Sequence, residues 1–375
     1  MIRLLRLQNF KCFENQSLPL KPLTLLTGLN STGKSSVLQS LLLLRQSYQQ
    51  GLQQTGGLVL NGDWTHIGTA TDALFEGAKE NVIGFDLVLK DDLGHEKKEE
   101  WRFNYDPEAD VLSLNGWWAI SEIYESSLFN DNFHYFQAER IGPRRFYEVS
   151  DTRVRKHRQL GSRGEYTAHF LSVFGDDKIP NPSLSHEDAN SLGLKHQVEA
   201  WLGEVSPGTR ISLTQNPGMD IVSLQYSFAV GTQVSKNYRA TNVGFGITYT
   251  LPIIVAVLSS SPGALLLIEN PEAHLHPKGQ AKMGDLLARA ASCGIQVLVE
   301  THSDHILNGV RLAVHDGKLS AEDVELHFFQ RRKQDGQSQV VSPRMNSDGR
   351  IYPWPDGFFD EWTKSLEALL EPSGE

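Results

Sequence analysis

The stretch Gly28-Leu29-Asn30-Ser31-Thr32-Gly33-Lys34-Ser35-Ser36 has the residue types and spacing to hold a phosphate chain. It fits G-x-x-x-x-G-K-[ST] without a gap, the pattern of a loop that cradles a polyphosphate. Gly28 and Gly33 let the backbone turn tightly. Asn30, Ser31, Thr32, Gly33, Lys34, Ser35 and Ser36 then present unpaired N–H groups to the ligand. Lys34 is the point charge for the β- and γ-phosphates, and Ser35 is the expected Mg²⁺ ligand. The motif needs a strand before it and a helix after it. Leu23 to Thr27 is a short apolar run that reads as a buried strand. Val37, Leu38, Leu41, Leu42 and Leu44 recur at helical spacing, giving a helix to about Tyr48.

A second constellation lies far along the chain. Gly263 to Asn270 reads as a buried strand ending in an acid, and Glu269 stands where an acid holds Mg²⁺ through water. Ile295 to Val299 is another buried strand, running into Glu300-Thr301-His302-Ser303-Asp304. The intervening Gln280 to Ala291 is helical. Strand, helix and strand at this spacing form a βαβ unit, so the chain is α/β with a mainly parallel core sheet.

The 375 residues suffice for one large domain or two modest ones, and the net charge of −10 excludes a globally basic nucleic-acid binder. The cysteines, Cys12 and Cys293, have no metal-type spacing, which fits a reducing compartment. The N-terminus is too charged for a signal peptide. The apolar segment Leu251 to Leu258 contains Pro252 and is too short to span a bilayer. We therefore expect a cytoplasmic protein without a membrane partner.

Elements flanking the phosphate loop read mostly as β. Ile2 to Phe10 alternates, and Ser17 to Pro19 returns as a second strand, suggesting an antiparallel sheet beside the nucleotide core. Between Thr65 and Leu114 the signals are β, with Asp91 to His95 as a hairpin turn. Phe133 to Phe136 is an aromatic strand. From Glu139 to Arg163 there are eight cations (Arg140, Arg144, Arg145, Arg153, Arg155, Lys156, Arg158 and Arg163) against three acids. Two readings stand: a phosphate-contacting surface for DNA, RNA or the nucleotide, or a solvated loop paired with acidic neighbours. Leu194 to Val205 reads as an amphipathic helix ended by Ser206-Pro207-Gly208, with strands at Ile211 to Leu213 and Ile221 to Phe228.

Four segments, in order, resemble the ABC-type ATPase heads of the SMC, RecF and OLD group. They are the phosphate loop, Val243-Gly244-Phe245-Gly246, Ile268-Glu269-Asn270-Pro271-Glu272-Ala273-His274-Leu275-His276-Pro277, and Thr301-His302-Ser303. The chain is most similar to bacterial stand-alone AAA family ATPases of the OLD-like type, many of which sit in anti-phage defence operons. Asp348 to Asp360 resembles a C-terminal region of unknown function in that group. The resemblance implies a P-loop NTPase head with a flanking antiparallel β-lobe and a small helical insert. It divides a single head, 1–375, into a phosphate-loop part (1–60), an antiparallel lobe (61–136) and a basic-loop and helical/β insert (137–240). Residues 241–375 then hold the signature helix, the acid strand, the switch histidine and the C-terminal region.

The same resemblance implies a homodimer or higher even oligomer, with ATP and Mg²⁺ between the phosphate loop of one subunit and the signature of the next. Gly244 and Gly246 take the signature position, without the usual serine; Asn242 or Thr248 is left to replace its contact. His302 matches the switch histidine, Gln137 the glutamine that reports the γ-phosphate, and His274 and His276 a loop packed on the partner. Asn270 stands where such heads place a catalytic glutamate. Either Glu272 takes over as base, or hydrolysis is slow and the ATP-bound dimer long-lived. Only 73 residues follow His302. A nuclease or toxin effector is therefore expected on another polypeptide. The competing functions are a non-hydrolysing ATP-dependent scaffold and a DNA-repair-type ATPase.

Overall fold

The computed structural model describes residues 1–51, 56–90, 94–116 and 122–370. Asp91 to Leu93 of the expected hairpin turn lie outside them. The core is a six-stranded sheet in the order Ser338–Val341, Val324–Arg331, Leu23–Gly28, Gln296–Glu300, Leu265–Glu269, Phe133–Phe136. All pairings are parallel except that of Ser338–Val341. The strands read as continuous apolar runs because both faces are covered. Side-chain alternation still sorts them. Leu25, Leu266, Ile268, Val297 and Val299 join one buried cluster. Leu26, Leu265, Leu267 and Leu298 join the other.

One face is covered by the phosphate-loop helix, Lys34–Gln49, and by an antiparallel sheet ordered Phe13–Pro19, Ile2–Phe10, Val82–Lys90, Glu96–Asn104. Leu38, Leu41 and Leu42 of the helix meet Leu5, Phe85 and Trp101 of that sheet in a common core. The opposite face carries helices Phe245–Ser259, Pro277–Ser292 and Asp304–His315, and beyond them helix Leu194–Val205 with the hairpin Thr209–Asn216/Ile221–Val230. Phe133–Phe136, expected in the antiparallel lobe, instead forms the parallel edge of the core sheet. All four residues are buried, so no polar alternation marks which sheet they join.

Helices Pro277–Ser292 and Asp304–His315 approach backbone to backbone. A Cβ on Gly309 would lie 2.0 Å from Ala281 O, and one on Gly284 2.3 Å from Ile306 O. Gly203, in helix Leu194–Val205, has nothing within 4 Å of an added Cβ. Gly309→Ala should therefore lower stability by about 1–3 kcal/mol despite better helix propensity. Gly203→Ala should raise it by roughly 0.5–1 kcal/mol. Urea denaturation midpoints of the two variants check this pair.

Candidate functional site

The parallel register sets the site. Leu26, Glu300 and Glu269 are paired across three adjacent strands, so the chain leaves the sheet there at one level. In open α/β sheets ligands bind beyond such carboxyl ends. The loop after Gly28 wraps with Gly28 at φ 126°, Ser31 at 59° and Gly33 at 105°. No side chain fits at either glycine: Cβ atoms would sit 2.1 Å from Phe329 O and 2.4 Å from the Phe13 ring. Lys34 is buried, its Nζ donating to Gly28 O at 3.0 Å and Leu29 O at 2.6 Å. Burial holds its pKa below the ordinary lysine value. Thr32 Oγ1 donates to Leu29 O at 2.7 Å. The loop is thus shaped by its own residues before any phosphate arrives.

Three acids converge beyond the strands, each with its own partners. Glu300, 7% exposed, accepts from Ser35 Oγ at 3.0 Å. Burial, reinforced by the neighbouring Glu269, pushes its pKa up to about 7. Glu269 accepts from Tyr135 Oη at 2.9 Å and Ala138 N at 3.0 Å. Burial raises its pKa as well. Glu272 accepts from Thr301 Oγ1 at 2.7 Å and His302 N at 2.8 Å. Asn270 sits at φ 44°, a left-handed conformation that Asn tolerates better than most residues. Its Oδ1 and Glu300 Oε2 are buried without a hydrogen-bond donor.

Arg140 holds this corner together. It is 1% exposed, and its guanidinium donates to the carbonyls of Gln137, Tyr249, Glu269 and Asn270 at 2.6–3.1 Å. Gln137 follows strand Phe133–Phe136 and is thereby beside Glu269. His302 is exposed just ahead of helix Asp304–His315, which Ser303 caps. Desolvation, then the charge on Lys34, keeps its imidazole pKa below the usual value and so neutral near pH 7.

The family of the AAA domain described as "AAA domain, putative AbiEii toxin, Type IV TA system" matches residues 23–308, well over half the chain. The chain belongs to this AAA domain family. Residues 319–369 match a second family, "Protein of unknown function (DUF3696)". No curated protein matches the chain. Among solved structures, an SMC head bound to the C-winged helix domain of ScpA superposes with TM-score 0.57 at 16% identity, covering 92% of this chain and 98% of that one. A Pyrococcus furiosus Smc head bound to the C-terminal domain of ScpA gives 0.53 at 15% identity, covering 99% of each chain. A Pyrococcus yayanosii Smc head with a coiled coil and joint gives 0.52 at 12%, again covering 99% of each. The AAA domain thus has the P-loop NTPase fold of an SMC-type ATPase head.

Within this AAA domain Gly246 packs on the segment at His274 and Leu275. Helix Phe245–Ser259 starts at Gly244, whose added Cβ would meet open space. Gly246 lies against its own chain, 2.6 Å from His274 O to a built Cβ, and Phe245 rests on the His274 ring at 5.5 Å. Asn242 is exposed beside them, whereas Thr248 is buried near Tyr147 and Tyr226. Thr248 is therefore corrected as a stand-in for the signature serine. Among the described residues, no group of three His, Cys, Asp or Glu could hold a metal ion.

The basic stretch is partly paired and partly exposed. Arg140 is internal. Arg153 pairs with Asp63, Arg155 with Asp151 and Arg163 with Glu139, while Arg158 stacks 4.2 Å from the Phe174 ring. Arg144, Arg145 and Lys156 remain as exposed cations. Sequence reasoning missed the roles of Arg140, Tyr135 and Glu300. The last carried a signal: an acid ending a buried strand, as Glu269 does. Arg140→Lys should lower stability by at least about 2 kcal/mol, because an ammonium cannot fork to four carbonyls. Lys156→Glu should stay within roughly 0.5 kcal/mol. Chemical denaturation of both variants measures the contrast.

Proposed function

We propose that this AAA domain binds ATP with Mg²⁺ and closes head to tail on a second copy, the phosphate loop of each facing Gly244 and Gly246 of the other. The observation that carries this reading is the division of the chain's own contacts. The phosphate loop touches Cys12, Phe13, Phe329 and Glu300, whereas the signature segment touches His274 and Tyr249. Gly244 opens a 15-residue helix with no side-chain cap hydrogen bond. A helix N-terminus of this kind favours an anion supplied from outside. A cavity of about 570 Å³ beside it is lined by Phe228, Tyr238, Asn242 and His276.

Mg²⁺ fits the chemistry of the donors present: a hydroxyl and carboxylates beside the loop, with orphaned acceptor oxygens. When bound, the ion neutralises charge developing on the transferred phosphoryl group. Ser35 is the residue nearest that role, with an acid from the strand ends. Lys34 binds phosphate oxygens, and neutral His302 donates its ring N–H to the γ-phosphate.

Hydrolysis is slow in this reading. Asn270 is an amide and cannot take a proton. Both Glu272 oxygens already accept hydrogen bonds from the switch segment, which ties that carboxylate down as a brace. The long-lived closed dimer then gates a separate effector protein, in a role we assign to anti-phage defence. A protein partner is supported by the SMC heads of this fold that are bound to ScpA domains.

Light scattering should show the mass doubling with ATP and Mg²⁺. Lys34→Ala should abolish nucleotide binding and doubling together. Gly244→Glu, with its side chain in open space, should keep ATP binding and fold but lose doubling. Doubling that survives Gly244→Glu would sink the head-to-tail arrangement. Asn270→Glu should raise steady-state phosphate release by about tenfold or more, the lower side of what a general base contributes. Wild-type release equal to the Lys34→Ala blank would instead identify a non-hydrolysing scaffold.

A further inference from the structure

We infer that Arg144 and Arg145 are phosphate-binding cations for the other copy, reaching across the boundary to the triphosphate held in its phosphate loop. This rests on the reading that two copies close head to tail on ATP. Position is the first argument. The segment from Arg140 to Tyr147 is fastened along the first turn of helix Phe245–Ser259. Arg140 Nε, at its root, donates to Tyr249 O at 3.1 Å. Gly142 lies against the Phe245 ring, 3.1 Å from it to a built Cβ. Tyr147, at its far end, is buried near Thr248 and pairs with Val222 of the hairpin. Between these anchors Arg144, Arg145 and Phe146 are exposed. The two arginines therefore flank the start of the helix that Gly244 opens.

The second argument is charge. Arg153, Arg155 and Arg163 of the same stretch each have an acid partner. Arg144 and Arg145 make no ion pair among the described residues, and Arg145 rests only 5.9 Å over the ring of its neighbour Phe146. The helix beside them carries no acid in its first turn. Two bare guanidinium groups near the positive end of a helix are unfavourable to it and to each other. An anion relieves both, and a guanidinium meets phosphate with two parallel N–H donors.

The third argument is the fit to this chain's own phosphate loop. Phe146 and Phe245, beside the arginines, are 51% and 55% exposed, and Leu29 of the phosphate loop is 60% exposed. A second copy that brings its loop here offers an apolar side chain to the two rings and a triphosphate to the two cations. The arginines then supply the side-chain contact that Gly244 cannot.

The test follows the doubling of mass with ATP and Mg²⁺ by light scattering over a protein dilution series. Arg144→Ala/Arg145→Ala should need about 10- to 100-fold more protein to double, the loss expected for hydrogen bonds to a charged group. Arg144→Lys/Arg145→Lys should recover part of that loss. Lys156→Ala, which removes another exposed cation of the stretch, should double as the wild type does. Binding of a fluorescent ATP analogue by the separated double-alanine subunit should stay at the wild-type level, because its arginines serve the other copy. Mixing decides the crossing. Lys34→Ala keeps the arginines and lacks the phosphate-loop lysine, and the double-alanine variant is the reverse. Together they should associate better than either does alone, through one complete pocket. No gain on mixing overturns the inference, as does doubling of the double-alanine variant at wild-type concentrations. Nucleotide binding lost in that separated variant also overturns it, by placing the arginines on their own subunit's nucleotide. So does doubling that is kept while binding of a fluorescein-labelled DNA duplex is lost, which makes the pair a nucleic-acid contact. A wild type that never doubles with ATP and Mg²⁺ is a different failure, that of the closure reading itself, and this assignment falls with it.

Discussion

Everything at the site depends on three parallel strands ending in register, with Leu26, Glu300 and Glu269 side by side. Parallel pairing in a sheet buried on both faces tolerates no slip, because a one-residue shift would turn a carboxylate into the hydrocarbon core. The apolar runs before these residues pin them. The chain can therefore concentrate like charges at one rim without losing its fold. Arg140 reinforces that rim from beneath by taking the carbonyls where the acid strand ends, a place where the backbone would otherwise have unpaired acceptors.

Crowded carboxylates are usually a liability, and here each is assigned a separate neighbour. Glu269 faces the edge strand, Glu272 the switch segment and Glu300 the phosphate-loop helix. The three acids thus tie different parts of the rim to one centre. The exposed His302 hangs directly from one of them, through its own amide.

Much of the local structure was legible in the sequence. The phosphate loop, its strand and its helix carry period and glycine signals within a few residues, and the helix at Leu194–Val205 carries its own stop signal. What distant pairing decides was not legible. Phe133–Phe136 has strand composition, yet only the folded chain reveals which sheet it joins. Arg140 looked like one more cation in a basic run, because counting charge says nothing about burial. Glu300 was visible as a strand-end acid. Its meeting with Ser35 spans 265 positions and depends on the strand order.

The strand Val324–Arg331 lies inside the region matched as DUF3696, yet it is an inner member of the core sheet, paired to Leu23–Gly28. It touches the phosphate loop directly: Phe329 O accepts from Leu29 N at 3.3 Å, and Arg331 Nη2 donates to Ser31 O at 3.2 Å. The two family regions are therefore not separable modules. Cutting between them would strip the ATP-loop strand of a neighbour and leave a raw apolar edge, an invitation to aggregate rather than a minimal ATPase.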